Sequence, residues 1–536
     1  METTSGMIRL PRSVILFAIG LALLTSLPYL VGAAAPPGLT YTGAPVLPNG
    51  TSVDYYSHLA KMWQGRHGDF AYHLLFTHED HTGLPLVQGF YVLLGAVSPF
   101  DLPVTYHLAR AVLTAVMVLA IYAVGVRLFE KPYERWVFLI FAVLVSGVSW
   151  LLLIADPVQA QQVAPIEFWL IDAYNLAGAL FMPHFAAAVA LQALALLAFW
   201  DRRMMLLTVI LAGLAILQPY FLVLSGPLFA LITLRQVILS RKISGFRAAL
   251  WLILPLGVQT VLTVYQFAAT QSDPVWRSFT AQNVTASPPP IYYVLGYLPL
   301  LLPVAIGWRG FAAKRGDSHW WMIGWWVLLV IALLYAPLPT QRRYLIGVQT
   351  PLAALAALGW TYATQRIKRP RQMMITVVYV VIAALPLFML WFGNLANIAT
   401  HPDDLYTNGY DQQAYALLNT ESSPSDTILT TFDWSGEGSG GRVVAGTGHR
   451  VFIGHWIETV DFDAKIEQVR RFYDPSETDA WRCEFLRTAG IVYVWYDRYA
   501  QAIGGWRPGD APYIEPVRAT EMLTLFRFNA AGCGLP

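Results

Sequence analysis

Between residues 12 and 393 the chain returns eleven times to an apolar run, at 12–33, 103–127, 136–154, 184–200, 204–218, 220–234, 248–267, 291–308, 319–336, 346–363 and 373–393. Most of these runs approach the roughly 20 residues that a helix needs to cross a hydrocarbon core. A polypeptide carrying so many of them has few places to put them other than a bilayer. Its 56% hydrophobic and 13% charged residues and mean hydropathy of +0.49 say the same, being far from soluble usage. The reading is an α-helical polytopic membrane protein with about 11 transmembrane helices over residues 1–395. The net charge of +2 gives no ground for a nucleic-acid partner.

Orientation follows from where the cations fall. With a cytoplasmic N-terminus, the inside segments hold eighteen: Arg9, Arg12, Arg127, Lys131, Arg135, Arg202, Arg203, Arg235, Arg241, Lys242, Arg247, Arg309, Lys314, Arg315, Arg366, Lys368, Arg369 and Arg371. The outside loops hold five, Lys61, Arg66, Arg277, Arg342 and Arg343. That bias places residues 396–536 on the non-cytoplasmic side of the cell membrane. The first run resembles a signal peptide, with Arg9, Arg12 and the small-residue stretch "VGAAAPP", but its apolar core is long enough to span and it reads as uncleaved.

Residues 396–536 are polar and contain no spanning run. The β-branched or aromatic segments "DTILTTF", "HRVFIGH", "GIVYVWY" and "LTLFRF" predict strands. "DFDAKIEQVRRFY" and "ETDAWRCEFLRTAG" have helical spacing, the second closing on Gly490. Together they predict a C-terminal extracytoplasmic α/β domain. Cys483 and Cys533 both lie in it, where an oxidising compartment would let them pair or leave them as two thiols. The glycine-rich "GEGSGG" at 436–441 lacks the lysine and helix of a phosphate cradle and reads as a flexible loop.

The inside loops are short and basic, whereas the outside ones are long, so chemistry is expected outside. The first outside loop, 34–102, is the longest. Its "SVDYYSHLAK" (52–61) predicts a helix with Ser52 as N-cap and Asp54 in the first turn. There Asp54 either complements the helix dipole or serves as a general base. His58 and Lys61 share its face and read as the wet side of an amphipathic interfacial helix, with Tyr55, Leu59 and Met62 on the other side. "LPLVQGFYVLLGAV" predicts a second helix lying along the interface. His78, Glu79, Asp80 and His81 put four ionisable groups in four residues, a solvated turn or a set of N/O ligands for a divalent metal, although the spacing matches no standard metal site. In the second outside loop Asp172 and Asn175, with Glu167, either start a helix before the next span or add an acidic and amide contribution to the substrate site. Arg342 and Arg343 break the charge bias at the outer end of a span and suit a phosphate or pyrophosphate, with snorkelling to headgroups as the alternative. Arg110 lies about two turns inside the second span, where a charge normally faces a protein-lined cavity.

The layout of about eleven uneven helices, a long first outside loop with an early acid and a C-terminal extracytoplasmic α/β domain resembles the GT-C class of membrane glycosyltransferases. "VDYYSHLAKMWQGRHGDFAYH", "QRRYLIGVQTPLAALAALGW" and "GTGHRVFIGHWIETVDFDAK" resemble segments of its bacterial members. The resemblance implies transfer of a sugar from a polyprenyl-phosphate-linked donor to a glycan, lipid or protein acceptor. By position Asp54 would be the catalytic base, and Arg342 and Arg343 would contact the lipid phosphate. Asp54 is followed by Tyr55 where better-known members of the class have a second acid, which leaves metal dependence and acceptor type open. The rival is a transporter or lipid-handling protein, or an assembly protein on the same scaffold without chemistry. Against transport, the sequence shows no repeated halves, and its polar groups gather outside the spans.

Overall fold

The computed structural model describes residues 9–46, 52–155, 165–240, 250–432, 438–520 and 522–534; Arg241, Lys242, Arg247, Gly436 and the side chain of Ser52 lie outside the described residues. The chain forms two compact units. One comprises 1–27, 107–267 and 284–393, the other 28–106, 268–283 and 394–536.

The first unit is helical. Among the described residues, six helices are long and apolar enough to cross a membrane: Arg12–Ala33, Leu102–Leu128, Pro183–Trp200, Pro219–Leu239, Ile253–Gln271 and Arg369–Ala399. They turn large apolar side chains outward, Leu16 and Leu23 on the first and Val377 and Phe392 on the last among them, as a lipid-facing surface requires. The structure is that of a multi-pass membrane protein.

Other runs among the eleven expected form shorter or interrupted helices among the described residues. Met204–Leu217 and Ser318–Leu333 are apolar but shorter, and the run at 346–363 becomes the 16-residue helix Gln349–Thr364. The run at 291–308 divides into Pro290–Gly296 and Leu298–Ile306, interrupted at Tyr297 and carrying Pro303. The run at 136–154 divides into Pro132–Val143 and Leu151–Ala155. At this second break the backbone N–H of Ser146 donates to Ala383 O at 2.9 Å, and that of Ser149 donates to Glu167 Oε1 at 2.8 Å. Apolar run length predicts helix but not continuity, because a break survives in a membrane protein when neighbours satisfy the freed backbone groups.

The second unit is built on a five-stranded mixed sheet. Its strands are β1 (Leu39–Tyr41), β2 (Ala71–Tyr72), β3 (Leu84–Pro85), β4 (Tyr406–Asn408), β5 (Thr427–Leu429), β6 (Arg450–Val451), β7 (Ile491–Asp497), β8 (Ile514–Ala519) and β9 (Leu523–Phe528). The main sheet runs β6-β5-β7-β9-β8, with β5 parallel to β6 and β7 and with β9 antiparallel to β7 and β8; β1 pairs with β4, and β2 with β3. Strand alternation sends neighbouring side chains to opposite faces. Val494 and Phe526 enter a core closed by the helices Phe462–Phe472 and Asp479–Thr488. Trp495 and Leu525 enter a second core with Ala60, Leu75, Phe76 and Val444. The long loop 34–102 thus contributes to the sheet's packing.

The expected strands and both expected helices form, and Gly490 takes the left-handed φ of +60° that a helix end asks of glycine. β8 and the helix Gly409–Glu421 were not anticipated. The glycine-rich segment expected to be a loop continues as the helix Gly440–Thr447. Cys483 and Cys533 form a disulfide, Cα–Cα 5.9 Å, closing a stretch of 50 residues. From loop-closure entropy, replacing both cysteines by serine is expected to cost about 2–4 kcal/mol, read as a lower thermal midpoint of this unit.

The helix Ser52–Arg66 is not the half-wet helix its spacing suggested. Tyr55, Tyr56, Leu59, Met62 and also Lys61 are buried. It packs directly against the helix Gly89–Ala96, with Gly65 and Gly95 placed where any Cβ would strike the facing backbone. That second helix buries Tyr91 and Val92 in the same unit, so the predicted amphipathic pair is a packed core element.

Candidate functional site

In the second unit, the first turn of helix Ser52–Arg66 presents Asp54 with 41% of its side chain exposed. His455, only 4% exposed, holds Asp54 Oδ1 at 3.0 Å through Nε2. The other ring nitrogen, Nδ1, accepts the backbone N–H of Ile457 at 3.2 Å. An imidazole nitrogen that accepts a backbone N–H carries no proton, so the proton of the neutral ring is on Nε2 and is donated to the carboxylate. One carboxylate oxygen is thereby oriented, on a side chain open to solvent.

One turn further along the same helix a buried polar network fixes the frame. Lys61 Nζ lies 2.8 Å from Glu458 Oε1, with both side chains under 5% exposed. Ser57 Oγ donates to the same oxygen, and Tyr72 OH donates to Glu458 Oε2. Burial alone would raise the Glu458 pKa, but the Lys61 ammonium and the hydrogen bonds from Lys61 and Ser57 outweigh it, and the carboxyl sits below its ordinary value. Burial and the adjacent Glu458 push the Tyr72 phenol well up, so it stays a donor. Two charges out of water are tolerated here because each carries further hydrogen bonds. The segment 455–458 and the loop helix are thus tied twice, at Asp54–His455 and at Lys61–Glu458.

The four residues 78–81 do not converge on a common point. Glu79 pairs with Lys465 at 2.9 Å, and Asp80 pairs with Arg450 at 3.0 Å. His78 stacks on Phe452 at 5.0 Å; burial and the nearby Lys465 push its pKa down to about 4. His81 donates from Nδ1 to Glu79 O at 2.8 Å and accepts Leu74 N–H on Nε2 at 2.9 Å, which spends both nitrogens on backbone. The four residues, read as a solvated turn or as ligands, instead fasten the first loop within its unit. Among the described residues no three His, Cys, Asp or Glu side chains gather as a ligand set.

In the first unit, Asp172 and Arg343, far apart in sequence, come together at 3.3 Å, with the carboxylate 5% and the guanidinium 26% exposed. Arg343 sits in the short turn Gln341–Leu345. Arg342, beside it, lies 5.5 Å over the Trp169 ring, and its backbone N–H bonds Thr285 O. Arg110 is fully buried and donates to His107 Nδ1, Ala179 O and Ser26 Oγ at 3.1–3.3 Å. Asn175 is spent on packing: its backbone N–H bonds Gln349 Oε1, and its amide donates to Ala142 O and Thr350 Oγ1. A substrate role expected for Asn175 finds no open donor there, since a polar group buried among helices must take such partners.

No protein-family model matches the sequence, and no curated protein does. Solved structures do. Oligosaccharyltransferase AglB from Archaeoglobus fulgidus, in complex with an inhibitory peptide and a dolichol-phosphate, superposes over 98% of this chain and 74% of its own with a TM-score of 0.52. ArnT from Cupriavidus metallidurans, bound to undecaprenyl phosphate, covers 98% of this chain and 100% of its own, also with a TM-score of 0.52. Both are GT-C proteins. The chain has the GT-C fold. Identity is 12% in each case, so the likeness is one of fold.

Within this chain of GT-C fold, sequence reasoning missed His455 and Glu458. Both stand in "GTGHRVFIGHWIETVDFDAK", one of the segments that carried the resemblance. The available signal was local: in "FIGHWIE" a histidine and a glutamate three residues apart interrupt an apolar run, and buried ionisable groups are seldom unpaired.

Proposed function

We propose that the chain is a membrane glycosyltransferase that moves a sugar from a polyprenyl-phosphate-linked donor to an extracytoplasmic acceptor hydroxyl, with inversion. The observation that carries this reading is Asp54, a solvent-open carboxylate oriented by a neutral histidine, in a chain whose fold is shared with proteins solved with polyprenyl phosphates. The acceptor oxygen forms a bond to the anomeric carbon as the bond from that carbon to the phosphate oxygen breaks. The electron pair leaves with the polyprenyl phosphate, and the acceptor's proton passes to Asp54. A direct displacement of this kind inverts the anomeric centre. His455 touches only Asp54 in this scheme and is a positioning residue.

Arg342 and Arg343 are assigned to the donor phosphate, where guanidinium groups offset the charge that builds on the leaving group. Asp172 steers Arg343 and keeps the guanidinium from collapsing onto other acceptors. Arg343→Gln and Asp172→Asn are each expected to raise the KM for the lipid donor by about 10–100-fold, with a smaller change in the KM for the acceptor, in a detergent-solubilised transfer assay. Equal changes in both constants would remove the assignment. The cytoplasmic N-terminus and the placement of residues 396–536 outside the cell membrane belong to the same proposal, supported by the cation bias and by the disulfide, which an oxidising compartment permits. The decisive experiment is transfer from a synthetic polyprenyl-phosphate sugar by the wild-type protein and by Asp54→Asn, with analysis of the product's anomeric configuration.

A further inference from the structure

Two basic segments of the first unit, far apart in sequence, are brought together by Tyr133. Its hydroxyl shares a hydrogen bond with Thr376 Oγ1 at 3.0 Å, and Trp360 Nε1 donates to the same Thr376 oxygen at 2.9 Å. The Arg369 guanidinium lies over the Tyr133 ring, 3.5 Å from its centroid, and Arg369 Nη1 donates to Gln372 Oε1 at 3.2 Å. Lys131 and Arg135, which flank Tyr133, thereby meet Arg366, Lys368, Arg369 and Arg371. Two acids, Glu130 and Glu134, accompany these six cations. Only Lys131 among the six has a carboxylate partner among the described residues, Glu134 at 3.5 Å. Arg366, Lys368, Arg369 and Arg371 are all exposed.

Cations gathered this closely repel one another and hold a positive potential that an anion relieves. Guanidinium groups match the oxygens of a phosphate in particular. Tyr133 and Gln372 already orient Arg369, which lowers the cost of ordering it around such a group. The surface beside the cations decides what carries the phosphate. In the spanning helix Arg369–Ala399, Arg371, Met374, Val378 and Ile382 recur at three- and four-residue spacing and form one stripe along the helix. Arg371 is exposed, and so are Met374 at 61%, Val378 at 53% and Ile382 at 46%. A cation at the end of a spanning helix, continued by an outward apolar stripe, matches a headgroup phosphate continued by an acyl chain. A soluble phosphate would meet the cations and leave the stripe bare.

We propose that this patch is a binding site for an anionic phospholipid, its phosphate held by the cations around Arg369 and an acyl chain laid along Met374, Val378 and Ile382. The proposal does not depend on the transferase reading. In native mass spectrometry the full chain in detergent should retain cardiolipin at least about tenfold better than phosphatidylcholine of the same acyl chains, and excess inorganic phosphate should not displace it. Arg366→Gln with Lys368→Gln and Arg371→Gln alters only exposed side chains outside any described ion pair, and should weaken retention by at least about tenfold at an unchanged thermal midpoint. Met374→Ser with Val378→Ser keeps every cation and should still weaken retention by about threefold or more, because chain burial is lost. Arg202→Gln with Arg203→Gln removes exposed cations of a different connecting segment and should leave retention unchanged. Equal retention of phosphatidylcholine, displacement by inorganic phosphate, retention that survives the triple variant or the serine pair, or an equal loss in the Arg202 and Arg203 variant would overturn the proposal.

Discussion

Asp54→Asn is expected to lower sugar transfer by about 10²–10⁴-fold while leaving the protein folded. Asparagine keeps an Oδ1 that can accept from His455 Nε2, now 3.0 Å from Asp54, so the geometry of the helix start survives. What it loses is the capacity to take a proton. His455→Gln retains a side-chain donor and should lose much less activity than His455→Ala, because histidine acts only by orienting the carboxylate. Wild-type turnover by Asp54→Asn, at equal expression and thermal midpoint, would sink the assignment of the base.

The largest effect on stability is expected at Lys61–Glu458. Lys61→Met leaves a buried carboxylate with its hydroxyl donors but without its counter-ion, and should cost about 3–5 kcal/mol. Glu458→Gln strands the ammonium and should cost a similar amount. The double replacement Lys61→Met with Glu458→Leu removes both charges, and should recover most of the loss, since an apolar pair of matching volume often replaces a buried ion pair at little cost. Thermal unfolding of the four proteins completes the cycle; additive losses would mean that the pair does not couple. The sign of the pH dependence follows from the lowered Glu458 pKa. Its contribution is complete above the ordinary carboxyl value of 4.5 and is lost as pH falls below that value through the folded-state pKa. Acid should therefore lower the thermal midpoint of the wild type more than that of the double variant.

Some of this architecture could be read from residues 12–393 alone, because run length and the scarcity of charge are local properties. Six apolar runs became helices of spanning length. The runs at 136–154 and 291–308 were misread as continuous, since what permits a break at Ser146 and Ser149 is an acceptor supplied by Ala383 or Glu167 from elsewhere in the chain. The strands at β5, β6, β7 and β9 were legible from their β-branched and aromatic runs. β8, "IEPVRA", was not, because Glu515 and Arg518 interrupt its apolar residues and it has a proline inside it.

The candidate site divides in the same way. That Asp54 begins a helix, and that Asp172 and Arg343 are both polar groups between apolar runs, follows from composition and spacing. That Asp172 and Arg343 meet, that His455 reaches Asp54 across 401 residues of sequence, and that Lys61 is buried on Glu458 are decided only by tertiary structure. Helical spacing can say which side chains share a face, but whether that face meets water or a buried carboxylate depends on a partner brought in from another part of the chain. By itself the sequence determined a membrane-embedded helical chain with a polar α/β segment at its C-terminal end, because hydrophobic transfer adds up residue by residue. It could not determine which charges pair, because a buried ion pair is stable only where two distant segments place donor and acceptor within about 3 Å and exclude water from both.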